Sequence, residues 1–215
     1  MSKIKKLENS ETLEFFPVYS AERNLYFCTI AKNCSTSIIN QLPKDFQATK
    51  PLPDTDVIVI LRDPIDRWIS GTVEYFTYGP DSFVTTHGAP NPSKMLMALN
   101  SYVKRDRLYA FDYHTELQSA ELKTIKKFTG KIHYYYYHAG VLDDIQKDFD
   151  VFKSVSKENS TVADKHRPKF RSVLENWLET NREVLYPKLK EFYRKDYKAI
   201  NNLNFVNWHI ATSSE

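Results

Sequence analysis

Apolar and polar positions first settle into a pattern between Asn24 and Leu42. Leu25, Phe27 and Thr29 alternate with Tyr26, Cys28 and Ile30, mostly residues that favour a pleated backbone, which predicts a strand. Ile38, Ile39 and Leu42 then fall at helical spacing. A second run, Val57-Ile58-Val59-Ile60-Leu61, is apolar without alternation, as expected of a parallel strand covered on both faces. It leads into Ile65, Trp68, Ile69, Val73 and Phe76, the stripe of an amphipathic helix that ends near Gly79-Pro80. Further helices are predicted over 93–105, 141–152, 170–181 and 183–200, the last two possible as one, and a strand over Lys131–His138. Residues 107–119 have no clean period and read as irregular, and residues 1–12 and 208–215 read as loose. The expected architecture is a single α/β domain over 1–215, a central parallel sheet flanked by helices.

Composition narrows the class. A length of 215 residues with 41% hydrophobic positions can bury a core in one domain. The net charge of +3 suits a small anionic ligand better than nucleic acid, which calls for a clustered basic face. Only Cys28 and Cys34 occur, one in a strand and one in the following turn, so bridging them would distort that element and a reducing compartment fits. The start MSKIKKLENSETLEFF lacks the apolar centre of a signal peptide, and no run approaches the roughly 20 apolar residues of a membrane helix. The expectation is a soluble, cytoplasmic protein with no membrane span.

Candidate chemistry sits where strands give way to helices. Ala31-Lys32-Asn33-Cys34-Ser35-Thr36-Ser37 joins the first strand to its helix with one cation and three consecutive hydroxyls. Free N–H groups and the helix dipole make such a turn an anion site. It lacks the glycines of G-x-x-x-x-G-K-[ST], which disfavours a Mg-ATP enzyme. Arg62 ends the second strand and Ser70 lies eight residues on, a pair able to hold a terminal phosphate. Ligands of open α/β sheets bind outside the carboxyl ends of strands, so Lys32 and Arg62 are expected to converge. The bland alternative is a capped helix, a solvated lysine and an Arg62–Asp63 or Arg62–Asp66 ion pair.

TIAKNCSTSI followed by VIVILRDPIDRWISG resembles the sulfotransferases that use 3′-phosphoadenosine 5′-phosphosulfate (PAPS), and EFYRKDYKAINNLNF is similar to the closing segment of the carbohydrate-type members. The resemblance spans about residues 24–206 and implies a P-loop-like sulfotransferase fold. By that resemblance Lys32, Asn33, Cys34, Ser35, Thr36 and Ser37 would hold the 5′-phosphosulfate, and Arg62 and Ser70 the 3′-phosphate. The adenosine loop has no clear counterpart; Lys165 and Arg167 either stand in for it or form only a solvated charge cluster. Lys32 would also stabilise charge on the leaving oxygen. The cofactor would be PAPS, leaving 3′,5′-ADP, with no metal; the six histidines show no metal-ligand spacing.

An acceptor hydroxyl needs a base, and a histidine with pKa near ~6.5 can serve at neutral pH. His114 is the first choice, Glu116 the reserve and His87 the third. His114 with Gln118 resembles the His-x-x-x-Gln element near the acceptor in carbohydrate sulfotransferases, so Gln118, Tyr113 and His87 are expected to contact the acceptor. That acceptor is a carbohydrate, glycolipid or small metabolite, and nucleic acid is not expected as a partner. The competing readings are a nucleotide-dependent phosphoryl transferase and a nucleotide-binding module without activity.

Overall fold

The structure is a computed structural model that describes residues 18–47, 52–78, 91–105, 111–152 and 167–207. Four strands form one sheet in the order β1 (Val18–Ser20), β2 (Leu25–Cys28), β3 (Asp56–Leu61) and β4 (Ile132–Tyr136). β2, β3 and β4 run parallel, whereas β1 pairs antiparallel with β2, so the sheet is mixed rather than purely parallel. The cause is the connection: Ala21–Asn24 is a tight turn with Asn24 at φ 46°, and so short a link can only reverse the chain.

β3 is buried from Val57 to Leu61 because both its faces are covered, as its unbroken apolar run requires. Ile58 and Ile60 pack with Phe27 and Tyr135 against Ile38 of α1 (Ser35–Gln41) and Ile145 of α5 (Val141–Phe149). Val57, Val59 and Leu61 face the other way, toward Leu122 and Ile125 of α4 (Gln118–Ile125) and Ile200 of α8 (Arg194–Asn201). A third core joins α2 (Pro64–Tyr78), α3 (Pro92–Lys104), α6 (Arg167–Thr180) and α7 (Arg182–Phe192). Its α2 contribution is Ile65, Trp68, Ile69, Val73 and Phe76, the stripe that the spacing predicts.

Two boundaries differ from the sequence pattern. The stretch expected to be irregular through Ser119 contains the start of α4, a helix of eight residues and so too short to impose a period. No local side chain caps it; Asp196 of α8 accepts from the Gln118 and Ser119 backbone N–H groups at 2.8 Å each. The two closing helices are three, because the chain breaks at Tyr193, whose buried ring anchors the α7–α8 corner. Among the described residues no helix is long and apolar enough to cross a membrane.

Candidate functional site

The turn between β2 and α1 is conformationally unusual. Lys32 and Cys34 both adopt left-handed backbone, at φ 66° and 64°. For residues with a Cβ this costs on the order of 1 kcal/mol each, and such strain persists only where surroundings enforce it. The enforcement comes from Asn33, buried between them. Its Nδ2 donates to the Ile60 carbonyl at 2.8 Å and to Gln118 Oε1 at 2.6 Å, while its backbone N–H donates to the Ile30 carbonyl. Asn33 is therefore a tether turned into the fold, with neither its N–H nor its amide nitrogen offered to a phosphate. Cys34 is set aside too: burial pushes its thiol up to about 11, and the side chain packs against the sheet core. Ser35, Thr36 and Ser37 open α1; Thr36 is exposed, the first turn carries no acidic residue, and no side chain caps it.

Gln118, expected beside an acceptor, is also internal. It is 1% exposed, accepts from the Arg62 N–H at 3.1 Å and returns a donor to the Arg62 carbonyl at 2.8 Å. This clamp fixes the backbone from which Arg62 projects, which makes Gln118 a positioning group. Arg62 in turn donates from Nη1 to the Lys32 carbonyl at 3.1 Å, so the two strand-end motifs meet directly. Its guanidinium lies 4.3 Å from the centre of the Tyr137 ring.

Neither cation is idle. Lys32 Nζ lies 2.9 Å from Glu74 Oε2, and Arg167 Nη2 reaches the same oxygen at 2.5 Å. Arg62 Nε lies 2.5 Å from Asp66 Oδ2, and Arg171 Nη2 lies 3.1 Å from Asp66 Oδ1. The Arg62–Asp66 pair of the bland reading thus exists, as a partly buried bridge that also takes in α6. Burial lowers the Lys32 pKa and Glu74 opposes that shift. Burial works against the Asp66 carboxylate, yet Arg62 and Arg171 together hold it below the usual range. Asp66, Ser70 and Glu74 recur every four residues and so share one face of α2.

His114 lies on a turn pressed onto that helix. A Cβ built on Gly71 would stand 2.5 Å from the His114 carbonyl oxygen, so only glycine admits this approach. His114 Nδ1 is 2.9 Å from Asp112 Oδ2, which makes Nδ1 the donor and Nε2 the basic nitrogen. The Asp112 carboxylate also acts on Lys32, linking the two groups electrostatically. Tyr113 is 52% exposed with its ring centre 3.8 Å from that of His114. Glu116, the reserve base, is exposed. His87 and Lys165 lie outside the described residues.

One residue that the sequence pattern did not single out holds these loops in register. Arg67 is 2% exposed, and its guanidinium donates to the carbonyls of Ala31 at 2.9 Å, Tyr113 at 3.2 Å, and Glu116. Burial lowers its pKa, as expected for a cation bonded to carbonyls rather than carboxylates. The closing segment grips the same loops: Tyr193 donates to the Thr115 carbonyl, Asp196 caps α4, and Tyr197 donates to Asp63 at 3.2 Å. Asp63 itself caps α2 through Ile65 and Asp66 N–H groups at 2.9 Å. Among the described residues no group of His, Cys, Asp and Glu could hold a metal ion.

The chain matches no protein-family model, no curated protein and no solved structure.

Proposed function

We propose that this α/β chain is a PAPS-dependent sulfotransferase of P-loop-like fold that acts on a hydroxyl of a carbohydrate, glycolipid or small-metabolite acceptor. The observation that carries this reading is the direct meeting of two cationic strand ends. Lys32 and Arg62 follow neighbouring parallel strands and are joined by the Arg62–Lys32 carbonyl hydrogen bond, beyond the carboxyl ends of those strands, which is the side on which open α/β sheets bind ligands. The strained, glycine-free turn supports the reading, since strain of this kind accompanies ligand clamps. So does a His–Asp pair on the adjacent loop.

When bound, PAPS supplies an activated sulfuryl group and a phosphate leaving group. Lys32 would neutralise the charge that grows on the leaving oxygen. Arg62, whose Nε and Nη1 already engage Asp66 and the Lys32 carbonyl, would offer its charge and its remaining N–H groups to the 3′-phosphate, with Ser70 one helical turn beyond Asp66. His114 Nε2 takes the acceptor proton, while Asp112 holds the tautomer and stabilises the imidazolium that forms. Tyr113 offers an exposed ring for an apolar acceptor face. Arg67 and Gln118 fix the loops through internal hydrogen bonds.

Calorimetric titration with 3′,5′-ADP in EDTA, with Mg-ATP as comparison, tests this reading. Binding without metal, weakened at least ~tenfold by Lys32→Ala and by Arg62→Ala in folded variants, is expected. No binding, or a preference for Mg-ATP, overturns it.

A further inference from the structure

We propose that the outer face of the α4–α8 layer is a docking surface for an anionic membrane, held against acidic lipid headgroups by lysines. The proposal does not depend on the reaction assigned above. α4 and α8 cover the same face of the sheet: Leu122, Ile125 and Ile200 pack with Val57, Val59 and Leu61. They start side by side, because Asp196 in the first turn of α8 caps α4. What these helices and their ends expose is of one sign. The exposed charged residues of 118–127 and 194–202 are Lys123, Lys126, Lys127, Arg194, Lys195 and Lys198. The acids of the same helices point into the fold: Asp196 is fully buried, and Glu121 holds a carboxyl oxygen buried without a hydrogen-bond partner.

A merely solvated helix face carries both signs, commonly paired three or four residues apart. Here Arg194 alone has such a partner, Glu191 at 3.4 Å, and among the described residues none of the five lysines forms an ion pair. The exposed acids Glu116 and Glu191 precede the two helices, and Asp54 and Asp56 lie past the other end, beside Gly130 and Lys131. The middle of the face therefore keeps its charge. The chemistry of the cations selects the partner. A guanidinium fork suits one fixed phosphate or sulfate group, and the only arginine here is occupied. Lysines are point charges on flexible stems, matched to a field of headgroups rather than to one defined anion. Neither helix exposes an aromatic ring on which bases could stack, which counts against single-stranded nucleic acid. Clusters of about four to eight basic residues on a helix surface hold peripheral proteins to acidic leaflets, each lysine there multiplying affinity about fivefold.

Sedimentation of the intact protein with lipid vesicles at low ionic strength tests the surface. Phosphatidylcholine vesicles containing about 30% phosphatidylserine should bind it, pure phosphatidylcholine should not, and salt at about 0.5 M should release it. Lys123→Gln with Lys127→Gln removes two charges from the α4 side and should weaken binding roughly 25-fold. Lys195→Gln with Lys198→Gln should do the same from α8. All four side chains belong to exposed residues, so both variants should keep the fold, which thermal unfolding checks. Lys44→Gln with Lys94→Gln makes the same change in net charge outside this layer and should leave binding within about twofold of wild type. No binding to the acidic vesicles, equal binding to both compositions, or equal losses in all three variants overturns the proposal. A protein retained by heparin or duplex DNA but not by the vesicles would give the face to a polyanionic chain and equally overturn it.

Discussion

Replacing Gly71 by alanine should destabilise the protein, although the same change in an ordinary helix interior is favourable by about 1 kcal/mol. The added methyl would lie 2.5 Å from the His114 carbonyl oxygen, 2.8 Å from Thr115 Cγ2 and 2.9 Å from the His114 carbonyl carbon. Comfortable separations between such atoms are about 3.5 Å, so helix and loop must part by roughly 1 Å. The loop cannot yield freely. Arg67 holds the Tyr113 and Glu116 carbonyls, Tyr193 holds the Thr115 carbonyl, and Thr115 Oγ1 accepts from the Phe111 N–H at 2.8 Å. Overpacking of this kind costs about 1–3 kcal/mol, which outweighs the helix gain. Set against the helix gain, this leaves a net loss of up to about 2 kcal/mol, which lowers Tm by up to roughly 4–8 °C in a domain of this size. Urea and thermal unfolding followed by fluorescence of the buried Trp68 and Trp177 would measure it. A Gly71→Ala protein more stable than wild type by about 1 kcal/mol, with His114 resonances unmoved, would refute the close approach of the His114 turn to α2.

Other outcomes follow from buried polar groups. Glu121 carries a carboxyl oxygen buried without a hydrogen-bond partner, and burial raises its pKa from 4.5 to about 7. Between those values the folded state keeps a proton that the unfolded chain has released, so stability falls as pH rises through that window and levels off above it. Glu121→Gln should flatten this slope and stabilise the protein at pH ~8 by on the order of 1–2 kcal/mol, allowing for partial exposure; an unchanged pH profile of urea midpoints would contradict this. Asp196→Ala should cost about 3 kcal/mol, since a buried carboxylate and two 2.8 Å hydrogen bonds to the start of α4 are lost. The same variant should weaken 3′,5′-ADP binding, because α4 carries the Gln118 clamp on Arg62; unfolding and titration of one preparation check both.

Much of the scaffold is legible in the chain because local pattern and burial agree. The unbroken run Val57–Leu61 becomes the central strand, and the Ile65–Phe76 stripe becomes the buried face of α2. What escaped is set by partners distant in sequence. Arg67 looks like one more charge on a polar helix face, yet it is buried because carbonyls from residues 31, 113 and 116 converge on it. Asn33 and Gln118 read as ligand-facing amides, and only the fold shows that they bond each other and leave the surface. α4 begins where the sequence offers no cap, its cap arriving from Asp196. The four-residue spacing of Asp66, Ser70 and Glu74 is visible in the chain, whereas the matching Arg167 and Arg171 become meaningful only once α6 lies against α2.

On the proposed function, the Lys32 turn and the Arg62 strand end together receive a ligand bearing two separate anionic groups. The most direct measurement is the affinity ratio of 3′,5′-ADP to 5′-ADP, in EDTA, for wild type and for Arg62→Ala. Wild type should prefer 3′,5′-ADP by at least about tenfold, and the ratio should collapse toward unity in the variant while 5′-ADP affinity barely changes. Equal affinities in wild type, or a preference that survives Arg62→Ala, would contradict the account.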